Sequence, residues 1–399
     1  MKQKVIVIGN SFATRLGIIR SLSQVDCEIF VIAIAYWKGK YIKPIDCFSK
    51  YVKGFYYLER VEGEKGLVRL LLEKCTDTEH KNIIIPTSDF SAIAIDHNRN
   101  ALKDYFLFPY ISNSEKDVAF WMNKMNQKQL ASQIGLKVAS SIILESTEGH
   151  FVIPNEVKYP CFTKPLASIG GGKKCIRKCE DEKTLLEVLS VAEEKGITQI
   201  LVEDYIKIDR EYAALGCSDG ENVIIPGIIQ FVRGSKSHPG IALLGEVKPT
   251  DGFEQLIKEF CLFVQEIGYV GIFDIDFVES GGDFYFLELN LRIGGSAYAI
   301  TKMGGNLPAI YVNSLTGSNV NANEAKIKQS AIYINERMLM DDWISGKLST
   351  KTYWKLTSSA DIHFVSDSED SIPQKILKKE FLNNLFNYKR IVKRLLSHI

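Results

Sequence analysis

No run of about 18 apolar residues occurs anywhere in the 399-residue sequence, so no membrane-spanning helix is expected. The start, MKQKVIVIGN, is a short apolar strand reaching a glycine, too brief for a signal-peptide core and without a small-residue cleavage site. Charge of one sign is also missing. The 49 Lys and Arg balance 48 Asp and Glu to a net +1, so nothing global points to nucleic acid or an acidic partner. The eight cysteines include no CxxC pair, and Cys175 and Cys179 have no histidine at zinc spacing. Reduced, mostly buried thiols of a cytosolic protein are expected. No GK[ST] opens a helix, so there is no Walker A loop, and no Ser-His-Asp or Cys-His nucleophile signature occurs. What remains is an ordinary globular composition, 46% hydrophobic and 24% charged, long enough for two or three domains.

The chain opens as a βαβ unit. Lys4–Gly9 reads as a buried strand, Leu16, Ile19 and Leu22 follow at helical spacing, and Glu28–Ile34 is a second strand. A parallel, doubly wound layer is expected. Gly9-Asn10-Ser11 lacks the full GxGxxG pattern of a dinucleotide site. Residues 82–86, NIIIP, form another buried strand running into Pro86–Asp89 before a helix over 90–103. Thr87, Ser88 and Asp89 either cap that helix or face a small substrate.

Further on, Asn123–Ile134 reads as an amphipathic helix ended by Gly135, and Val157–Lys164 as a strand. Asp181–Lys195 is a helix; Gln199–Val202, Glu211–Cys217 and Val223–Phe231 are strands; Phe253–Gly268 and 298–315 are helices. Residues 318–330 read as a polar linker, Ala331–Arg337 as a strand and 366–373 as an acidic loop. Gln374–Ile399 is a helix or helix pair with Lys375, Lys378, Lys379, Lys389, Arg390, Lys393 and Arg394 against one acid, Glu380. That basic face reads either as the solvated side of a packed helix or as a contact for an anionic membrane.

The most informative segment is FDIDFVESGGDFYFLELNLRIGG, residues 273–295. It reads as a hairpin of Phe273–Glu279 and Phe284–Asn290, with Gly281 and Gly282 in a tight turn. Alternation puts Asp274 and Asp276 on one face, and Glu288, Asn290 and Arg292 on one side of the second strand. The pairing brings Asp276, Glu288 and Asn290 together as three oxygen ligands beside an arginine, which suits Mg²⁺ and a phosphate. A solvated polar face is the alternative, but the neighbours are apolar and a buried set of charges needs a partner.

Two weaker signals precede it. Lys164 ends an apolar strand before Pro165 and SIGGGKK (Ser168–Lys174), a loop that lets backbone N–H groups of Ser168, Gly170, Gly171 and Gly172, with Lys173, approach phosphate oxygens; a Gly-rich hairpin tip is the alternative. In LVEDYIKIDRE, the turn Glu203-Asp204-Tyr205-Ile206 suits an adenine edge, and Glu211 suits ribose hydroxyls; a surface hinge with solvated acids is the alternative. The order decides between them: lysine strand, glycine loop, hinge with acid, then D…ExNxR over about 130 residues.

With that order, residues 1–315 resemble the ATP-grasp superfamily, in the branch similar to carbamoyl-phosphate synthase ATP-binding halves and D-aspartate ligase-like carboxylate–amine ligases. The segment Glu288-Leu289-Asn290-Leu291-Arg292 is similar to the family's ExNxR, with Leu291 in place of the common proline, and Asn123-Lys124 stands where relatives carry Asp-Lys or Asp-Arg. The resemblance implies an α/β and α+β architecture: a Rossmann-like preATP-grasp domain over 1–115, a small grasp subdomain over 116–200, a large one with the metal site over 201–330, and a C-terminal extension over 331–399. It implies ATP and Mg²⁺ (or Mn²⁺) as cofactors, the cation bridging phosphates through Asp276, Glu288 and Asn290. Lys124 and Lys164 would contact phosphate, Glu203, Tyr205 and Ile206 the adenine, Glu211 the ribose, and Arg292 the transferring phosphoryl group.

The activity implied is ATP-dependent joining of a carboxylate to an amine through an acyl phosphate, with ADP and phosphate released. A small-molecule kinase or a non-catalytic ATP-binding module on the same fold are the alternatives. A biotin-dependent carboxylase is less favoured, because no AMKM carrier segment is present. The loop Val232–Gly240 carries Arg233, Lys236 and His238. It either holds a substrate carboxylate or acyl phosphate, with His238 relaying a proton, or is an exposed hairpin loop. Arg15 is a further candidate for holding an acidic group, and Ser296 and Tyr298 for lining the same cavity. Expected partners are small-molecule substrates without nucleic acid. A second copy of the chain and a membrane surface are further candidates, the location being cytoplasmic or at the inner face of the membrane.

Overall fold

The structure, a computed structural model, describes residues 2–35, 43–77, 79–112, 116–166, 172–317 and 325–385. Within them the strands form three sheets. The first holds β1 (Gln3–Gly9), β2 (Cys27–Ala35), β3 (Val52–Glu59), β4 (Asn82–Pro86) and β5 (Phe106–Leu107), all parallel, in the order β3-β2-β1-β4-β5. Its central strands β1 and β4 are nearly unbroken Val and Ile because both faces are covered. Val5 and Val7 pack with Leu16 and Ile19 of helix Phe12–Leu22, while Ile6 and Ile8 pack with Leu67, Leu71 and Ile95 on the other side. The strand order reverses between β1 and β4, so a crevice opens at their C-terminal ends, where ligands of such sheets bind.

A short β6 (Tyr110–Ile111) leaves this sheet to pair with residues 269–270 of the third. The second sheet is antiparallel: β7 (Ser141–Thr147), β8 (His150–Phe151), β9 (Cys161–Pro165), β10 (Arg177–Cys179) and β11 (Gln199–Asp204), ordered β10-β9-β11-β7-β8. Helix Glu182–Glu194 buries Leu185, Val188, Leu189 and Ala192 against it. The third sheet comprises β12 (Arg210–Ser218), β13 (Val223–Gly234), β14 (Ala242–Lys248), β15 (Tyr269–Ser280), β16 (Asp283–Asn290), β17 (Ala331–Ile334) and β18 (Ile362–His363), ordered β16-β15-β12-β13-β14-β17-β18. One face packs Phe273, Phe277 and Phe286 onto Phe260, Phe263 and Val264 of helix Glu254–Ile267. Ile272 and Leu215 belong to the opposite face, toward the first sheet and its helix Phe12–Leu22. On β15, Asp274 and Asp276 share that face by alternation.

Several boundaries differ from expectation. β9 begins at Cys161 rather than Val157, since Pro160 has no N–H for the ladder. The helix expected over 90–103 is two, Asp89–His97 and Arg99–Leu102, broken at Asn98. That over 298–315 is Ala297–Lys302 and Leu307–Leu315, interrupted by Gly304 at φ +103 before Pro308. β17 stops at Ile334 because the Asn335 side chain accepts from Met338 N and starts helix Glu336–Ile344. The expected linker is only partly described, and Ala325 and Ile327 are core residues rather than polar linker. Helix Ile372–Leu385 packs through Leu377 and through Phe381, stacked 5.2 Å from Trp343; residues 386–399 of the basic tail lie outside the described residues. Among the described residues no helix is long and apolar enough to cross a membrane.

Candidate active site

The β15–β16 hairpin sets the geometry. Gly281 (φ +59) and Gly282 (φ +87) form a two-residue turn, and Ser280 pairs with Asp283. The register then places Asp276 opposite Glu288 and Asp274 opposite Asn290, with an irregularity between Asp276 and Phe277. All four, with Arg292, line one cavity of about 1090 Å³. Asn290 donates Nδ2–H to Asp276 Oδ2 at 3.2 Å; Arg292 donates Nη2–H to Asn290 Oδ1 at 3.1 Å and Nε–H to Asp89 Oδ1 at 2.6 Å. Lys124 Nζ lies 2.6 Å from Glu288 Oε2. Asp274 Oδ1 is buried without a partner, and Asp274 Oδ2 occupies the space a Cβ at Gly294 would need, 2.0 Å away.

The carboxylates are short of positive charge. Burial, then the charges of Asp274 and Glu288, holds the Asp276 carboxyl well above the usual range. Burial pushes Asp274 up to about 6 against the pull of Arg292. Burial opposes ionisation of Glu288 too, but the Lys124 ammonium, together with Lys164 and Arg292, outweighs it and the carboxyl lies below its usual value. A divalent cation with hard oxygen ligands would relieve this crowding. Among the described residues no three His, Cys, Asp or Glu converge to hold a metal by themselves. The donor set therefore fits Mg²⁺ as two carboxylates, the Asn290 amide and phosphate oxygens, the usual division of ligands for this ion. Asn290 would have to turn its carbonyl from Arg292 toward the cation.

A second cavity of about 610 Å³ opens between the second and third sheets. Phe162, Tyr205, Ile206 and Tyr212 supply apolar walls, Lys164 and Glu203 the charges, and Glu211 lies exposed on the edge of β12. Glu203 belongs to β11 rather than to a loop, and its buried carboxylate is held by Lys164 Nζ at 2.9 Å and by Lys128 Nζ. Burial lowers the Lys128 pKa, with Glu203 opposing. The N–H groups of Asp204 and Tyr205 already donate to Ser140 O and Pro160 O, which leaves the Ile206 end of the hinge for an adenine edge. Asp276, Glu288 and Phe231 line both cavities, so the nucleotide-sized cleft and the larger chamber meet over the carboxylate pair.

Not every expected residue converges. Ser168, Gly170 and Gly171 lie outside the described residues; Gly172–Cys175 form a 3₁₀ turn. His238 lines the large cavity with Nε2 3.0 Å from Asp341 Oδ2, and Arg337 Nε donates to the same oxygen at 3.1 Å. Arg233 lines neither cavity, although Phe231 two positions before it lines both; the strand register is irregular between them. The loop Val232–Gly240 is no free anion clamp. Asp342 accepts from Ser235 Oγ, Lys236 N and Ser237 N and holds it against helix Glu336–Ile344. Arg15 is spent as well, donating Nε–H and Nη2–H to Asp46 at 2.7 and 2.9 Å, so it does not hold an acidic substrate group. Ser88 is a cap, accepting from Ser91 N, while Asp89 serves Arg292. Sequence reasoning missed Lys128, Asp341 and Arg337. Only Lys128 left a sign, one turn after Lys124 on the same helical face. All eight cysteines are unpaired, and burial pushes the Cys47, Cys75 and Cys161 thiols up to about 12, out of reach of thiolate chemistry.

Comparison with known proteins agrees with this geometry. Residues 123–314 match the family described as carbamoyl-phosphate synthase L chain, ATP binding domain. The carbamoyl phosphate synthase large chain of Clostridium acetobutylicum is 25% identical over 198 residues, 48% of this chain and 18% of that protein. The chain thus spans less than a fifth of the length of that relative. Among solved structures, the biotin carboxylase–β,γ-ATP complex from Campylobacter jejuni aligns with a TM-score of 0.63 at 18% identity, covering 83% of this chain and 75% of that one. The L-amino acid ligase from Bacillus licheniformis aligns at 0.59 and 17%, covering 83% and 79%. At these identities the structural likeness establishes the fold, a mixed α/β architecture with ATP-grasp neighbours.

Proposed function

We propose, from an ATP-grasp core across residues 123–314, that this chain is an ATP-dependent carboxylate–amine ligase. The observation that carries the reading is the meeting of two cavities over Asp276 and Glu288. ATP would lie in the smaller, its adenine at Ile206, its ribose near Glu211, its triphosphate toward Lys124 and Lys164. The substrate carboxylate would enter from the larger. A carboxylate oxygen attacks the γ-phosphorus, the bond to the β-bridging oxygen breaks, and ADP leaves. The amine then attacks the acyl carbon, phosphate departs with the C–O bond electrons, and the nitrogen loses a proton to give the amide.

The residues divide this work. Lys124 exchanges its contact with Glu288 for phosphate, and Lys164 does the same from Glu203, which keeps Lys128 as its counter-ion. Mg²⁺ held by Asp276, Glu288 and Asn290 would supply neutralisation of the phosphate charge. Arg292, fixed by Asp89 once the Asn290 carbonyl turns to the cation, offers its guanidinium to the transferring phosphoryl group. His238 is placed to take the amine proton, with Asp341 orienting the ring. In the same reading the N-terminal parallel sheet is the preATP-grasp domain, over 1–115, and 116–200, 201–330 and 331–399 are the two grasp subdomains and an extension.

The test is a screen of amino acids and organic acids for ADP release with ATP and Mg²⁺, followed by product mass. Glu288→Ala should abolish ADP production while the protein stays folded by circular dichroism. Near-normal turnover of that variant would reject the site.

A further inference from the structure

The large cavity has two ends of opposite character. One carries Asp274, Asp276 and Glu288. The other is the switch-point crevice of the first sheet, between the ends of β1 and β4. There the helix Phe12–Leu22 begins, and the N–H groups of Phe12 and Ala13 have no intrahelical acceptor. Both residues line the cavity. The N-cap hydroxyl of Ser11 serves Thr14 alone, accepting from its N and Oγ1 at 3.4 and 3.0 Å.

Two further observations point to a ligand. Thr87, 6% exposed and on the cavity wall, has a buried hydroxyl with no hydrogen-bond partner. Arg60, at the end of β3, lies with its guanidinium 3.5 Å over the Phe90 ring and has no carboxylate partner among the described residues. The contrast with the other arginines on this cavity is informative. Arg15 is tied to Asp46, Arg292 to Asp89, and Arg337 to Asp341 and Glu380. Lys43, at the same end, lies over the rings of Phe48 and Phe55 and has no carboxylate partner among the described residues. Asp89, the nearby acid at the start of helix Asp89–His97, is consumed by Arg292. The crevice is thus electropositive, with hydrogen-bond donors and no carboxylate among the described residues to satisfy them.

We propose that this crevice binds a second anionic group, carboxylate or phosphate, on the substrate whose carboxylate is activated at the other end. The inference rests on the ligase reading and gives it a substrate class: a small acid with two anionic ends. Thr87, the Phe12 and Ala13 N–H groups and Arg60 hold the distal anion, and the reacting carboxylate reaches Arg292 and the cation site. A monoanionic acid would leave the Thr87 hydroxyl and Arg60 uncompensated.

The test uses inorganic phosphate as probe on the full chain saturated with Mg²⁺ and a non-hydrolysable ATP analogue, so that all three of the nucleotide's phosphate positions are filled. Calorimetry should show phosphate binding, weakened roughly tenfold or more by Arg60→Ala and by the near-isosteric Thr87→Val, and partly restored in Arg60→Lys. Analogue affinity and melting temperature should be unchanged in all three. Competition by succinate and by glycerol 1-phosphate then distinguishes a carboxylate tip from a phosphate tip. Equal phosphate affinity in wild type and both Arg60→Ala and Thr87→Val, or no phosphate binding at millimolar concentration, overturns the proposal. Failure of the underlying reading is separate: the ATP analogue itself would not bind, and phosphate would be titrated on the nucleotide-free chain.

Discussion

Glu203 carries its charge where water hardly reaches, between the ammonium groups of Lys164 and Lys128. Removing one partner of a buried ionic group costs about 3–5 kcal/mol, because the charge left behind is uncompensated. Lys128→Met leaves Lys164 as the only cation on Glu203 and so less able to turn to a phosphate. The expected outcome is a lower melting temperature and a KM for ATP raised roughly tenfold with kcat little changed, Lys128→Arg restoring both. Unaltered ATP affinity in the methionine variant would show that Lys164 never leaves Glu203. At this scale the sequence was legible where chemistry was written locally. Asp276, Glu288, Asn290 and Arg292 sit within one hairpin, so alternation alone put them on one face. Arg15 was misread because its partner, Asp46, is thirty-one positions away and nothing in either local pattern shows the pairing.

The elements repeat that division. The Gly281–Gly282 turn and the apolar alternation of β15 and β16 fix their own register, and Gly135 ends its helix with positive φ as its position suggested, as Gly196 and Gly268 do theirs. The loop Val232–Gly240 was read from its charges, but its shape is decided by Asp342, more than a hundred residues on. Burial opposes ionisation of that carboxylate; its hydrogen bonds from Lys236 N, Ser237 N and Ser235 Oγ prevail and hold its pKa below the usual value. A depressed folded pKa gives stability that is present above about pH 4, the unfolded value, and lost as pH falls through the folded one. Asp342→Asn should therefore cost about 2–3 kcal/mol at neutral pH, with the gap to wild type narrowing as the pH is lowered below about 4. Urea unfolding at a series of pH values measures this. A gap independent of pH would mean that the loop is held by shape and not by the charge.

Across the whole molecule, long-range ties close the large chamber between the first sheet, the third sheet and the C-terminal segment. Arg20 in the first helix donates to Asp370 Oδ2 and to the carbonyls of Phe364 and Val365, and Tyr298 donates to Asp367. Glu336 accepts from Val365 N and Ser366 N. These contacts bring Arg337, Asp341 and Glu380 of the C-terminal segment to the cavity wall, which local sequence pattern did not foretell, because each contact spans the chain. The central claim is that a divalent cation at Asp276, Glu288 and Asn290 holds a nucleotide's triphosphate at the junction of the two cavities. Crystals grown with Mn²⁺ and a non-hydrolysable ATP analogue test it most directly. The account predicts an anomalous peak at coordination distance, about 2.1 Å, from oxygens of Asp276, Glu288 and Asn290, with the triphosphate against Lys124 and Lys164. A nucleotide seated in the smaller cavity with its metal away from all three side chains would contradict it.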